Sequence, residues 1–593
     1  MPTTFFDRRT LDFILHDWLG QGSESDSRET TSALLDLSER IAEDQFLSHY
    51  KKSDRDEPHA TPQGTKTLPE IHTALKTYAE AGLFGAGFPA ELGGLDLPFA
   101  TTSASLGLFM AANIATSAFI MLTVANARLI ATFGTPTQID HFARPQIEGR
   151  IFGTMCLSEP QAGSSLGDIK TTARPDGEDR LGRRFRLTGN KMWISGGDHE
   201  ITSNIIHLVL AKIPNADGTR DKGTRGISLF IVPKRLEDGS LNDIAVAGLN
   251  HKMGYRGIPN CLLNFGEGAA HPEGQPGAIG YLIGEPGQGL PIMFQMMNEA
   301  RIGVGLGAAA LAMRGFRHAV DYAQQRPQGR PPSGRGAGDP VPIIEHADVK
   351  RMLLAQKAYA EGALALVLYC AHLVDLADTL PHQAGRDDAA RLLGLLTPIA
   401  KTWPSEWGLV ANDLAIQVHG GYGYTRDFDV EQIYRDNRLN PIHEGTTGIQ
   451  SIDLLGRKIL RDRTNTIALL GARIADCASR ASGHPPLARL AIELNEAWQI
   501  LTATIDALAG LNDDARALEN ATPFLFAFGH TVVAWLWLDQ AIICASDGAD
   551  PFNAGKIAAC RFFFESELPK LQGWLTPIRA FSTIASEMTP AQF

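Results

Sequence analysis

Three stretches of the chain carry residue types that chemistry needs: hydroxyls and glycines for a phosphate, an indole for a flat ring, and a carboxylate for a proton. In CLSEPQAGSSLGD (156–168), small residues and hydroxyls surround Gly163, where a backbone can approach a polar group or phosphate closely. A surface turn has the same composition. In TGNKMWISGGDH (188–199), a tryptophan stands beside a serine and paired glycines after a strand pattern. An indole there can lie against a flat ring with a hydroxyl on the ring's edge, or can pack in a core near a hairpin. The third stretch, QVHGGYGYTRDFDVEQIYRDNRLNPIHEGTTGIQSIDLLGRK (417–458), joins Gln417, Gly420 and Gly421, whose backbone amides can reach a phosphate or ribose, to Glu444. Gly445 beside it permits an unusual backbone angle. A carboxylate held at such a bend and partly dehydrated is a candidate general base. Taken alone, a glutamate is more often a solvated surface charge.

The surrounding elements must position these groups. Residues 1–150 read as mainly helical, with LPEIHTALKTYAEAGLFG (68–85) and ATSAFIMLTVANARLIATFG (115–134) repeating apolar residues at helical spacing. Near Gly153 the pattern changes to short β-branched or aromatic runs: RFRLTG (184–189), NIIHLVLA (204–211), GISLFIVP (226–233) and CLLNFG (261–266). Helical periodicity returns over 290–326, over 346–376 and from about Arg386 to Val418. The segment RPQGRPPSGRGAGDP (326–340) predicts a loop. A further helical block runs from about 470 to 593.

The 593 residues exceed one ordinary core and predict several folding units. With 54 Lys+Arg against 66 Asp+Glu, the net charge of −12 argues against a chain built to coat nucleic acid. Six scattered cysteines without a CxxC pair fit a reducing cytosol rather than a disulfide scaffold or a structural zinc site. The N-terminus lacks a signal-peptide layout. Unbroken apolar runs such as 304–313 and 531–538 fall short of a membrane span. A soluble, cytoplasmic protein without an integral membrane segment is the expectation.

Taken in order, SEPQAGS, KMWIS, HKMGYRG (251–257), GQGL (287–290), the helix carrying Arg301, QVHGGYGY and EGTTGIQ resemble the acyl-CoA dehydrogenase family, from about Leu68 to Lys458. The resemblance implies a multidomain α+β protein. Its parts would be an N-terminal α-helical domain (1–152), a middle β-barrel-like domain (153–285), a C-terminal four-helix bundle carrying the base (286–465) and an additional C-terminal α-helical domain (466–593). It implies FAD as cofactor. Ser158 would contact the flavin pyrimidine edge and Ser164 a phosphate, while Trp193 would flank the isoalloxazine and Ser195 would bond near N5. Arg326 and Gln328 would reach the diphosphate of a neighbouring subunit's FAD. Gln417, Gly420 and Gly421 would hold its adenosine half, with Thr446 and Gln450 nearby. Ser164, Arg301, Glu444 and Gly445 would meet the acyl-CoA substrate, Arg301 by positioning the CoA arm. Glu444 would take the α-proton while hydride leaves Cβ for the flavin, giving trans-2-enoyl-CoA in fatty-acid β-oxidation. The Glu444 N–H and a ribityl hydroxyl would stabilise the developing enolate. No metal is implied, and electron-transfer flavoprotein would be the electron acceptor.

The chain also departs from the family pattern. Some members carry the base directly before the arginine equivalent to Arg301; here Ala300 stands there, with Glu299 one step earlier, which leaves Glu444 as the base. The residue before the base is commonly tyrosine; here it is His443, which either tunes Glu444 or simply packs. The final 135 residues resemble the long branch of the family, which includes mycobacterial long-form acyl-CoA dehydrogenases and methylmercaptopropionyl-CoA dehydrogenases, and imply a homodimer. Medium- to long-chain straight acyl-CoA is the expected substrate. The small residues Ala104, Gly107, Ala111 and Ala112 either open a deep cavity or serve close helix packing. The rivals are an acyl-CoA oxidase using O2, a 3-methylmercaptopropionyl-CoA dehydrogenase and a DNA-associated alkylation-response flavoprotein. For the last of these, the acidic tail is unsuited to DNA.

Overall fold

The computed structural model describes residues 5–20, 25–330, 338–462, 465–511 and 513–593. Of the predicted loop at 326–340, residues 331–337 lie outside that set. The chain forms two compact units. One comprises Met1–Leu34, Phe99–Gly107 and Arg301–Phe593; the other comprises Leu35–Pro98 and Leu108–Ala300.

Helices α1 (Pro69–Glu80), α2 (Phe99–Ala112) and α3 (Ile114–Phe133) precede the strands. α1 begins with a proline, whose missing N–H has no intrahelical partner to lose. It ends before Gly82, which takes the left-handed backbone (φ 72°), so the stop comes earlier than the end of the 68–85 pattern. The strands of the larger sheet are β1 (Phe152–Cys156), β2 (Thr172–Asp179), β3 (Gly182–Ser195), β4 (Ile205–Lys212), β5 (Ile227–Pro233), β6 (Ile244–Leu249), β7 (Asn260–Phe265) and β8 (Ala278–Ile283), and a separate hairpin pairs His59–Thr61 with Gly64–Lys66. Their order is β8-β5-β4-β2-β3-β7-β6, with β1 parallel to β4, and a further β8–β3 pairing closes a ring. Both faces of β4 are buried. Ile206, Leu208 and Leu210 join a core with Leu129, Ile130 and Phe142, while Val209 and Ala211 join another with Phe185, Leu187 and Phe230. The four strands predicted from β-branched runs are present. β2 escaped that reading because its exposed TARPDGED carries turn residues, and its ladder slips register between Pro175 and Glu178. KMWIS lies within β3 itself, not in a turn following it.

The helices that follow are α4 (Gly289–Gln325), α5 (Ala347–Thr379), α6 (Gln383–His419), α7 (Val430–Asn437) and α8 (Thr447–Ile452). Asp375 of α5 accepts from the N–H groups of Phe99 (2.6 Å) and Ala100 (3.0 Å), placing an anion at the positive end of α2. α6 stays helical through Pro398 and Pro404. Pro404 has no N–H for the Ala400 carbonyl. At this carbonyl α4 passes so close that a Cβ on Gly305 would lie 2.0 Å from the oxygen, so only glycine fits. A Cβ on Gly107 would meet Leu306 Cδ1 at 3.2 Å, which is close helix packing rather than cavity.

The final block comprises α9 (Thr466–Ser482), α10 (Ala488–Ala509), α11 (Ala521–Cys544), α12 (Pro551–Phe562) and α13 (Leu571–Arg579). α11 is buried along most of its length. Trp537 Nε1 donates to the Ala358 carbonyl on α5 (3.2 Å), and Trp403 Nε1 on α6 donates to His530 Nδ1 on α11 (3.0 Å). The N-terminal helical segment 8–18 packs against the same block: Phe13 lies edge-on to Phe552 at 5.5 Å, and Trp18 Nε1 donates to Asp539 (2.8 Å). The argument against a membrane span rested on unbroken apolar runs, and that argument needs correction. By length and composition Ile114–Phe133, Ala347–Thr379 and Ala521–Asp547 are long and apolar enough to cross a bilayer; 67%, 67% and 83% of their apolar windows are buried inside the protein.

Candidate active site

In the β-domain a buried ion pair ties the first two sequence clusters together. Glu159 accepts from Lys170 N (2.6 Å), Thr171 N (3.0 Å), Thr171 Oγ1 (2.6 Å) and Lys191 Nζ (3.0 Å), and Lys191 also donates to the Leu157 carbonyl (3.0 Å). Ser158 is bound twice to β3, its Oγ donating to Met192 O (2.9 Å) and its carbonyl accepting from Met192 N (3.0 Å). At that point β3 bulges against β7, because Lys191 faces Leu263 but Ile194 faces Cys261. The bulge re-aims Trp193, which takes a left-handed backbone (φ 68°) and is 59% exposed. Ser195 Oγ accepts from Asn260 Nδ2 (3.2 Å), keeping its own hydrogen to donate. Ser164 lies exposed in the loop after β1.

Neither Glu159 nor Lys191 stood out in the sequence, although both lie inside the clusters. Burial alone would raise the Glu159 pKa, but Lys191, Thr171 and two backbone amides outweigh it and hold the carboxyl down to about 2. The pair therefore stabilises the fold fully above the ordinary carboxylate range and less as pH falls from there toward about 2. Lys191→Met, which strands Glu159 as an unpaired buried anion, is expected to cost about 3–5 kcal/mol in denaturant unfolding at neutral pH. The penalty should shrink in acid, where Glu159 can protonate; a loss independent of pH would count against the pair.

In the unit containing 301–593, Glu444 takes a left-handed backbone (φ 52°), followed by Gly445 at φ 91°. A non-glycine residue in this region is uncommon and is held there by its surroundings. Gln450 Nε2 donates to the Glu444 carbonyl (3.1 Å), and a Cβ on Gly445 would lie 2.4 Å from that nitrogen. Thr446 Oγ1 caps α8 by accepting from Ile449 N (3.3 Å). Thr447 Oγ1 donates to Glu406 on α6. From the other side Lys401 Nζ, fully buried on α6 between its two prolines, donates to the Asn440 carbonyl (2.7 Å). Glu444 keeps some contact with solvent but is densely surrounded by protein. Desolvation raises its pKa, with Lys401 and Arg301 opposing. Desolvation also brings the Lys401 ammonium down to about 8 against the pull of Glu444 and Glu406. Arg301 is buried, its guanidinium bonded to Asp453 (2.9 Å).

Arg326 and Gln328, with Gly420 and Gly421, line one cleft of about 460 Å³. The Arg326 guanidinium lies 5.7 Å from the Tyr422 ring centroid. Gly420 has φ 59° and ψ −137°, a conformation that side-chain-bearing residues avoid, and a Cβ there would touch nothing within 4 Å. Gln417 is exposed on the last turn of α6. Thus Glu444, Gly445, Thr446, Gln450 and Arg301 form one neighbourhood, with Gln450 and Arg301 both engaged by protein groups. Lys401 and Glu406 complete it and were not foreseen. The one available signal was a lysine inside the apolar run LLTPIAKTWP.

A helical segment, a strand ring and a helical bundle are the parts of an acyl-CoA dehydrogenase fold. Residues 28–150, 154–267 and 287–460 match the N-terminal, middle and C-terminal domains of acyl-CoA dehydrogenase, and 468–589 match the acetyl-CoA dehydrogenase C-terminal-like domain. The chain is 36% identical over 519 residues to 3-methylmercaptopropionyl-CoA dehydrogenase of Ruegeria pomeroyi, covering 85% of each chain. It is 31% identical over 605 residues to the broad-specificity linear acyl-CoA dehydrogenase FadE5 of Mycobacterium tuberculosis, covering 97% of this chain and 96% of that one. An acyl-CoA dehydrogenase from Bacillus anthracis, solved in complex with FAD, superposes with a TM-score of 0.76 at 21% identity, over 98% of this chain and 93% of that one. The chain belongs to the acyl-CoA dehydrogenase family, flavin-dependent oxidoreductases that work with FAD.

Proposed function

We propose that this protein desaturates medium- to long-chain straight acyl-CoA thioesters to trans-2-enoyl-CoA, with Glu444 as the base. The observation that carries the reading is the strained, partly dehydrated Glu444 between Lys401 and Gln450. A raised pKa makes the ionised carboxylate a stronger base, so turnover falls as pH drops through a value above the ordinary carboxylate range. Lys401 limits that rise, because its charge favours the ionised form.

The residues present fit FAD. The open cleft holds a cation, Arg326, beside Gly420 and Gly421, where a phosphate can approach unhindered backbone. Gln328 and Gln417 would add polar contacts there, and Thr446 and Gln450 would border the adenosine half. In the β-domain, the exposed indole of Trp193 and the hydroxyls of Ser158 and Ser195 suit a flat ring with polar edges, and Ser164 a phosphate. FAD, when bound, supplies hydride acceptance. Arg301 and Gly445 act on the substrate side, Arg301 as a buried charge near Glu444 held by Asp453. We further infer electron-transfer flavoprotein as acceptor, a cytoplasmic location and a homodimer.

A short thioether acyl-CoA is the second reading, favoured by the relative from Ruegeria pomeroyi. Dye-coupled turnover across short, medium and long acyl-CoAs and 3-methylmercaptopropionyl-CoA decides between them. Highest kcat/KM on medium or long chains is the expected result, and preference for the thioether overturns it. Rapid peroxide formation in air would identify an oxidase instead.

A further inference from the structure

Three asparagines form one buried hydrogen-bonded chain ending at the residue before the base. Asn412 Nδ2 on α6 donates to the Leu311 carbonyl on α4 (2.9 Å). Its Oδ1 accepts from Asn437 Nδ2 (2.6 Å), Asn437 Oδ1 accepts from Asn440 Nδ2 (2.9 Å), and Asn440 Oδ1 faces His443 Nε2 (3.2 Å). None of the three asparagines is exposed to solvent. A backbone carbonyl can only accept, so the polarity of the whole chain is set at Leu311. Each amide must present nitrogen toward α4 and oxygen toward His443. The last oxygen demands a donor, which puts the imidazole proton on Nε2.

We propose that His443 is a positioning residue, held as the neutral Nε2–H tautomer by the Asn412–Asn437–Asn440 chain so that the Glu444 segment is anchored without a further cation added to Lys401 and Arg301. This rests on Glu444 being the base. The charged groups facing the site are Lys401 and Glu406 on α6, Arg301 on α4, and Asp453, which engages Arg301. Lys401 grips the same Asn440 through its carbonyl, so one residue receives both the permitted cation and the neutral ring. A protonated imidazole there would add to Lys401 and pull the base back toward the acidity of an ordinary carboxylate. Desolvation and Lys401 oppose that protonation, holding the His443 pKa at about 3.

The test uses the holoenzyme. In ¹⁵N-histidine-labelled protein, the signal assigned by its loss in His443→Phe should show protonated Nε2 and bare Nδ1, unchanged between about pH 5.5 and 9. His443→Phe, lacking the donor, is expected to lower kcat about 100-fold with a smaller change in KM, and to shift the acid limb of the kcat/KM profile. His443→Gln, which restores an N–H donor, should recover most of kcat and the original limb. An Nδ1–H signal, titration within that window, or a Phe variant with unaltered kcat and pH profile overturns the inference. Should His443→Phe fail to fold, the wild-type spectrum read against His443→Gln still decides it. Glu444→Gln in parallel separates the two readings: an active variant there removes the base assignment itself, while an inactive one leaves the histidine results to be judged alone.

Discussion

Glu444→Gln is expected to retain bound flavin and lose turnover by about ten-thousand-fold, the upper range for removing a positioned base. The reasoning separates what the carboxylate does from what holds it. The segment is fixed by groups other than the Glu444 carboxylate: the Glu444 carbonyl by Gln450, the Asn440 carbonyl by Lys401, and the Thr447 hydroxyl by Glu406. None of these bonds uses the Glu444 side chain. Glutamine is nearly isosteric and neutral, so the bend should survive while proton acceptance is lost. Anaerobic addition of acyl-CoA should then leave the flavin absorbance of the variant unbleached, whereas wild-type bleaches at once. Comparable bleaching in both proteins would remove Glu444 from the reaction. A colourless variant would show instead that the substitution had disturbed the fold.

A stability effect as large as that of Lys191→Met is expected away from the active site, at Glu361. This carboxylate on α5 has no solvent contact and is paired with Lys357 one turn before it and with Lys556 Nζ on α12 at 2.9 Å. Lys556 is equally buried, between the rings of Phe13 (5.1 Å) and Trp537 (5.2 Å), with Gln540 Oε1 at 3.2 Å. Glu361→Gln would leave a buried ammonium without its counter-charge, a loss of about 3–5 kcal/mol in denaturant unfolding followed by tryptophan fluorescence. The rings and Gln540 offset part of that cost, but none carries a full negative charge. The double variant Glu361→Leu/Lys556→Met should recover most of the loss, since apolar residues of similar volume need no desolvation of ions. A single variant within about 0.5 kcal/mol of wild-type would show that the pair contributes little.

Long periodic elements were legible in the sequence. The helices predicted over 290–326 and 346–376 are α4 and α5 within a few residues, because apolar spacing persists over many turns. α6 holds through Pro398 and Pro404, where Thr397 and Ser405 hydroxyls donate to the carbonyls of Leu393 and Lys401 (each 2.6 Å). β2 was hidden by its polar, proline-containing sequence; ladder pairing rather than propensity makes it a strand. At the active site, glycines and Glu444 stood out because their roles depend on local backbone. Lys401 and the asparagine chain did not. Asn412 lies 25 residues from Asn437, and an asparagine near a helix end ordinarily reads as a cap or turn. Only the packing of α4, α6 and α7 turns three such residues into a directional wire.

The docking of segment 8–18 onto the last helices also has a consequence for biosynthesis. Phe13 and Trp18 are made well before their partners Phe552 and Asp539, which lie more than 500 residues downstream. At about 5–20 residues per second, the gap between them is on the order of a minute. For that interval the segment 8–18 is an unsatisfied amphipathic strip, and closure of a loop of more than 500 residues must precede its burial. These contacts therefore join parts of the polypeptide made far apart in time. Chaperone dependence should track this long-range pairing more closely than the chemistry of the flavin site.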